Sequence, residues 1–388
     1  MKLTSLVTTV FFVALSSATL EPLRRTTESS PEGSILFGGL GHIYLSRWIP
    51  EDGSGFDVQI EKEVPGLASW MVFVSPDRLY VADLSSNILR LYDLDLEGKT
   101  ITFEQEKKAS DPLLHLEINK NKTRLFATTV GDGAIDVWNI EGGGLDLMKT
   151  IPCRSKDDEG ACQPRQANLD PTGRFLAVND YGTDSLIIID TEEDRYEVKD
   201  KFNITSCGPN RGVFYPRGAD KATSYILVCG KSNDVLIYSV RYEGDRLKLD
   251  LTQRESTFGD DSLPANETTA AAVAVALTTD NHNLYVSNRS TGNATDYISF
   301  FRINTLNQTL PWLSFSGTFS SHGFVPWTVS PSRDGKWLFI ANGLGGDAGA
   351  FAMKVMTDGK LKDEPEISIS SNKFGGANKG PWFVQQIE

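Results

Sequence analysis

The chain has 388 residues, with 38 Lys and Arg against 51 Asp and Glu, giving a formal net charge of −13 at pH 7. That acidity excludes a nucleic-acid groove or a surface for anionic membranes, both of which need a positive field. Apolar residues make up 40% and charged residues 23%, which excludes a disordered chain, and the four His lie too far apart for a His-rich metal site.

The first predicted element is a targeting segment. Met1-Lys2 is a short basic start, Leu3 to Ala14 is an apolar run, and Ser16-Ser17-Ala18 sets small residues at a cleavage site. Residues 1–18 therefore read as a secretory signal peptide, too short to span a bilayer. Residues 19–33 are polar and contain Pro, which reads as a flexible leader. Within it, Arg24-Arg25 is either a dibasic processing site or two solvated arginines. No later stretch reaches 18 consecutive apolar residues, so no membrane span is predicted and a secreted, extracellular protein is expected.

From residue 34 to residue 388 one pattern recurs. An apolar run ending in small or polar residues reads Ile35-Leu36-Phe37-Gly38-Gly39, Leu79-Tyr80-Val81-Ala82-Asp83 and Leu125-Phe126-Ala127-Thr128-Thr129. It returns as Phe175-Leu176-Ala177-Val178-Asn179, Ile226-Leu227-Val228-Cys229-Gly230, Leu284-Tyr285-Val286-Ser287-Asn288 and Leu338-Phe339-Ile340-Ala341-Asn342. Turn signals such as Asp170-Pro171-Thr172-Gly173 and Ser332-Arg333-Asp334-Gly335 precede the runs. Alternating strands such as Ser185-Leu186-Ile187-Ile188-Ile189 follow them. No segment carries a sustained 3.6-residue apolar period, and short strands at regular spacing mean an all-β chain. A repeat of about 45–55 residues with roughly four strands is a propeller blade. The prediction is a single seven-bladed β-propeller with about four antiparallel strands per blade. Gly380-Pro381-Trp382-Phe383-Val384 resembles the blade start Val325-Pro326-Trp327-Thr328-Val329, so strands from both termini are predicted to close the ring. Asp93-x-Asp95-x-Glu97-Gly98 nearly matches a calcium loop, but it lies in an alternating hairpin without flanking helices. Gly343-x-Gly345 follows a strand, but no βαβ unit follows it, so it reads as a blade turn.

All four Cys follow the signal peptide. Cys153 and Cys162 flank a short polar loop, which favours pairing them and leaves Cys207 with Cys229 by default. Four Cys allow three connectivities, and spacing alone does not choose among them. N-x-[ST] sequons begin at Asn121, Asn203, Asn266, Asn288, Asn293 and Asn307. Glycans are expected at Asn121, Asn203, Asn266, Asn293 and Asn307; Asn288 is expected to be bare if its neighbour Arg289 points into the channel.

Three motifs carry a family resemblance. Gln163-Pro164-Arg165-Gln166-Ala167-Asn168-Leu169-Asp170-Pro171-Thr172-Gly173-Arg174-Phe175, Cys207-Gly208-Pro209-Asn210-Arg211 and Leu284-Tyr285-Val286-Ser287-Asn288-Arg289 are similar to motifs of the lactonase family with a seven-bladed propeller. That family includes bacterial 6-phosphogluconolactonase-like proteins and the fungal carboxy-cis,cis-muconate cyclase, and a secreted glycoprotein resembles a fungal branch of it. The resemblance implies lactone chemistry at the mouth of the central channel. Guanidinium groups would hold carboxylate or enolate oxygens bidentately, and a His or Glu would move the proton.

The family's His before the Asp-Pro-Thr-Gly turn falls on Arg165. The Arg of its Gly-Pro-Arg-His motif falls on Asn210 and the following His on Arg211. Its Glu falls on Gly230 or Lys231. The Arg after the later Ser-Asn is kept as Arg289, and a further inner-strand His is kept as His115. Arg289, Arg165 and His115 are thus the candidate catalytic residues. The residues that open the inner strands include Trp70, His115, Arg165, Arg211, Trp327 and Trp382, a column at one end of the channel. Arg211, Asn210, Trp70, Trp327 and Trp382 are the candidate ligand-binding residues. The alternative is that the Trp are packing and the Arg pair with nearby acids.

Two functions lead, with an unrelated hydrolytic activity as a third. One is a muconate-lactonizing or lactone-hydrolysing enzyme; the other is a non-catalytic propeller binding a small anion, a glycan or a surface protein. A small carboxylate or lactone is the expected ligand, with no cofactor and no metal.

Overall fold

A computed structural model describes residues 33–50, 55–153, 161–259, 263–306, 310–344, 348–364, 367–376 and 379–387. The predicted signal peptide, the leader up to residue 32 and the sequon Asn307 lie outside the described residues. The described chain is a β-propeller, with only three-to-four-residue 3-10 turns as helix.

Local sequence explains the strands. Ser185–Asp190 lies inside its sheet and is buried at every position, while Ile367–Ser370 at an outer edge alternates buried Ile with exposed Ser. The turn at Asp170 is built by its carboxylate, which accepts backbone N–H groups of Thr172, Arg174 and Phe175 at 2.7 to 3.0 Å. The Asp93–Glu97 segment falls at a hairpin between Ile88–Asp95 and Thr100–Lys108, as expected of a turn.

The expectation of seven four-stranded blades is corrected. Five sheets are four-stranded blades, and the remaining seven strands form one continuous sheet. The reason is Gly55–Val74, an unbroken twenty-residue strand. Its first part pairs with Leu40–Ile49 as far as Leu67, and its second part pairs with Arg78–Asp83 from Ala68 onward. Pro65-Gly66 reads as a turn in sequence. Yet Leu67 N–H donates to the Asp83 carboxylate at 2.9 Å and Ala68 N–H to the Gly39 carbonyl at 3.1 Å, so pairing passes through without a break.

The C-terminal strand Phe383–Gln386 joins this large sheet beside Gly33–Gly38, with Phe37 opposite Val384, so strands near the two ends of the chain close the ring. Apolar layers fill the space between neighbouring sheets. Phe175, Leu186 and Ile188 meet Leu227, Leu236 and Tyr238 in one such layer. The large sheet folds on itself, packing Leu36, Ile43 and Leu45 against Leu79, Val81 and Tyr92. Both Cys pairs are bonded, Cys153 to Cys162 and Cys207 to Cys229.

Candidate functional site

Seven strands line the central channel: the second half of Gly55–Val74, then Leu113–Ile118, Pro164–Leu169, Pro209–Tyr215, Ala271–Leu277, Phe324–Pro331 and Phe383–Gln386. They pack in this order around the ring. Trp70, His115, Arg165, Arg211, Trp327 and Trp382 lie at or near their starts. A cavity of about 470 Å³ lies within the channel, and its lining begins at Trp70, His115, Gln166, Gly212, Thr328 and Phe383. The cavity thus starts level with, or one residue below, the column of Arg and Trp, and that column forms the channel mouth.

The structure brings the column together through a chain of contacts. The Trp70 and His115 rings are 4.4 Å apart. The Arg211 guanidinium lies 4.4 Å over the Trp70 ring. Arg211 and Arg165 repel each other, as do Arg165 and Arg289. Arg289 lies 5.4 Å over Trp327, which stacks on Trp382 at 4.6 Å. Gly343 makes the stack possible, because a Cβ there would come within 2.5 Å of Trp327 Cδ1.

Direct ion pairing is what the mouth lacks, although the Asp180 charge acts on Arg165 from a distance. Among the described residues no carboxylate forms an ion pair with Arg165, Arg211 or Arg289. Arg165 Nη2 donates to Gln163 Oε1 at 3.3 Å and its guanidinium covers the Tyr181 ring at 4.9 Å. Arg165 Nε, Arg211 Nη1 and Arg289 Nε are buried without a hydrogen-bond partner. Burial, with the Arg165 charge beside it, pushes the Arg211 pKa down to about 9. Burial also lowers Arg165, and Arg289 adds to that. His115 is 2% exposed, and burial, then the Arg211 charge, hold its imidazole well below the usual histidine range. It is therefore neutral at pH 7, with Nδ1 unpaired.

Not every predicted site residue faces this mouth. Asn210 Nδ2 donates to the Ala272 carbonyl at 3.0 Å, which ties two blades together. At Gly230 a Cβ would lie 3.0 Å from that same carbonyl. Lys231 is paired with Asp184 at 3.1 Å and lies 4.9 Å over the Tyr181 ring, which Arg165 also covers. Asn288 is fully buried and donates to Ser299 Oγ at 2.7 Å, leaving no room for a glycan. Asn121, Asn203 and Asn266 are exposed, whereas Asn293 is half-buried with Nδ2 enclosed.

Two residues of the site had not been singled out. Tyr181 sits in a turn between Arg165 and Lys231, where no sequence signal marks it. Glu117 lines the cavity, and burial pushes its pKa up to about 8 although the Leu169 N–H donates to it. Its signal was available: it is two residues after His115, on the same face of the strand.

No helix among the described residues is long and apolar enough to cross a membrane. A family model described as a lactonase with a seven-bladed β-propeller matches residues 41–371. A probable 6-phosphogluconolactonase of Arthroderma benhamiae is 25% identical over 306 residues, covering 74% of this chain and 73% of its own. A 6-phosphogluconolactonase of Buchnera aphidicola is 25% identical over 219 residues, 54% of this chain and 64% of its own. Among solved structures, a periplasmic gluconolactonase of Pseudomonas aeruginosa superposes with a TM-score of 0.76 at 16% identity. That match covers 92% of this chain and 99% of the other.

Proposed function

The chain belongs to the lactonase family of β-propellers, and from that premise we propose that its channel mouth binds a small carboxylate or a carboxylate-bearing lactone. One observation carries the reading: Arg165, Arg211 and Arg289 converge there, each with a buried N–H that has no partner. Like charges held together away from water are costly unless a counter-charge arrives. A carboxylate fits the forked guanidinium geometry, and aromatic faces behind the guanidiniums hold them flat.

The same arrangement supports ring opening. Water adds to the lactone carbonyl, the guanidiniums stabilise the oxyanion, and the acyl–oxygen bond breaks to give a carboxylate and a hydroxyl. Neutral His115, with Nδ1 unpaired, is the group that would take the water's proton. Cyclisation of an open-chain muconate would use the same cations on its carboxylates. The two disulfides fit a secreted protein in an oxidising compartment, with glycans at the exposed sequons. A second reading, a secreted propeller that binds without turnover, is supported by Asn210 being committed to Ala272 and by Gly230 offering no side chain. A glycan or cell-surface partner belongs to that reading.

The test is an ultraviolet and pH-stat assay of 3-carboxy-cis,cis-muconate and simple lactones, run beside ligand-induced thermal shifts. Binding is expected to weaken about 10- to 100-fold in Arg289→Ala, the scale of a lost charged hydrogen bond. Turnover lost in His115→Gln supports the enzyme; binding without turnover supports the second reading. A protein that shifts with none of these anions refutes both.

A further inference from the structure

Arg211 and Trp70 stand on opposite sides of the ring. Two inner strands, Leu113–Ile118 and Pro164–Leu169, separate their strands on one side, and three separate them on the other. Their contact at 4.4 Å therefore spans the channel. The cavity below is lined from Trp70 and His115 downward, and on the strand of Arg211 it begins at Gly212. We infer that Arg211, laid across the channel onto Trp70, is a crossbar that sets ligand length by closing the floor of the mouth.

The bar separates two unlike spaces. Above it are the guanidiniums of Arg165 and Arg289. Below it the walls are mixed, with Val72, Val275 and Leu277 beside Glu117, Asn168 and Arg217. A methylene of an apolar tail that packs on Val72, Val275 and Leu277 there would gain up to about 0.8 kcal/mol. With the bar in place, a tail attached to a carboxylate at the mouth has no route down. Sterics and charge both hold the bar where it is. Arg211 is 8% exposed, stacks on the Trp70 face and is pushed away from Arg165 by like charge. No carboxylate among the described residues pulls it elsewhere.

This inference rests on the mouth being a carboxylate site, and the two can fail separately. The experiment is calorimetric titration of the straight-chain carboxylates from acetate to octanoate into the full-length protein and its variants. In the parent, affinity is expected to be independent of chain length. In Arg211→Ala, overall affinity falls but rises with each added methylene, by up to about fourfold. Arg211→Met keeps the span of the side chain and loses the charge, so affinity falls while the length dependence stays flat. Trp70→Ala removes the shelf from the other side and restores the length dependence, which covers the case in which Arg211→Ala does not fold. A parent that already gains with chain length, or folded Arg211→Ala and Trp70→Ala variants that bind with no gain, overturns the crossbar while leaving the carboxylate site intact. Failure of every carboxylate to bind the parent overturns the carboxylate reading and the crossbar with it.

Discussion

At the scale of single residues, the site is governed by which ionisable groups lose their water. Arg211 keeps its charge because guanidinium is so strong a base that even burial leaves it near 9. Glu117 yields instead, its carboxyl pushed up to about 8 by burial. An unfolded glutamate titrates near 4.3. Between those two values the folded protein holds a proton that the unfolded chain has released. Stability from this group is therefore full below the unfolded value and is lost as the pH rises through 8. One such proton makes a slope of about 1.4 kcal/mol per pH unit within the window. Glu117→Gln has no proton to lose, so its stability relative to the parent is expected to climb between pH 5 and pH 8. Denaturant melts at several pH values measure this, and parallel pH profiles for the two proteins would refute the burial of Glu117.

At the scale of elements, neighbouring inner strands are joined by side chains that bond across the blade boundary. Tyr225 shows how. Its hydroxyl donates to Asn179 Oδ1 at 2.9 Å and accepts from Asn168 Nδ2 at 2.9 Å, while Asn168 also donates to the Gly212 carbonyl at 3.0 Å. The hydroxyl fits only because residue 212 is glycine, where a Cβ would sit 2.4 Å from it. Gly212→Ala must push the ring aside and leave buried Asn groups unpaired, an expected cost of about 2–4 kcal/mol. Either change disrupts the same hydroxyl network, and Tyr225→Phe also removes one of the clashing atoms, so the double variant should be less destabilised than the sum of the two single changes. Additive losses in chemical denaturation would show that the network does not tie these strands.

At the scale of the whole molecule, stability depends on ring closure. Phe383 and Val384 are each 1% exposed and insert into two different apolar layers of the large sheet. Deleting residues 383–388 removes both and leaves the edge of Gly33–Gly38 unpaired. Truncating one buried Phe costs about 3–5 kcal/mol, against a typical total of about 5–15 kcal/mol. The truncated protein is expected to lose its cooperative thermal transition and to self-associate. A cooperative melt at the parent's Tm, with a monomer in sedimentation, would show that closure is dispensable.

Much of this was legible in the chain itself. Alternating apolar runs, turn signals and the absence of a helical period specify an all-β propeller, because backbone periodicity and turn chemistry are local properties. The likeness of Gly380–Val384 to a blade start marked the closing strand, and the column of Trp, His and Arg at the strand starts marked the mouth. Other features belong to the tertiary structure alone. Sheet boundaries follow from pairing between distant strands, so the unbroken Gly55–Val74 joins what the repeats had divided. The commitment of Asn210 to Ala272 depends on which blade lies beside it. Above all, Arg211 meets Trp70 only because the ring brings its far sides together. A sequence names the groups that carry charge; the distances and the loss of water that decide how those charges act arise only when the ring has closed.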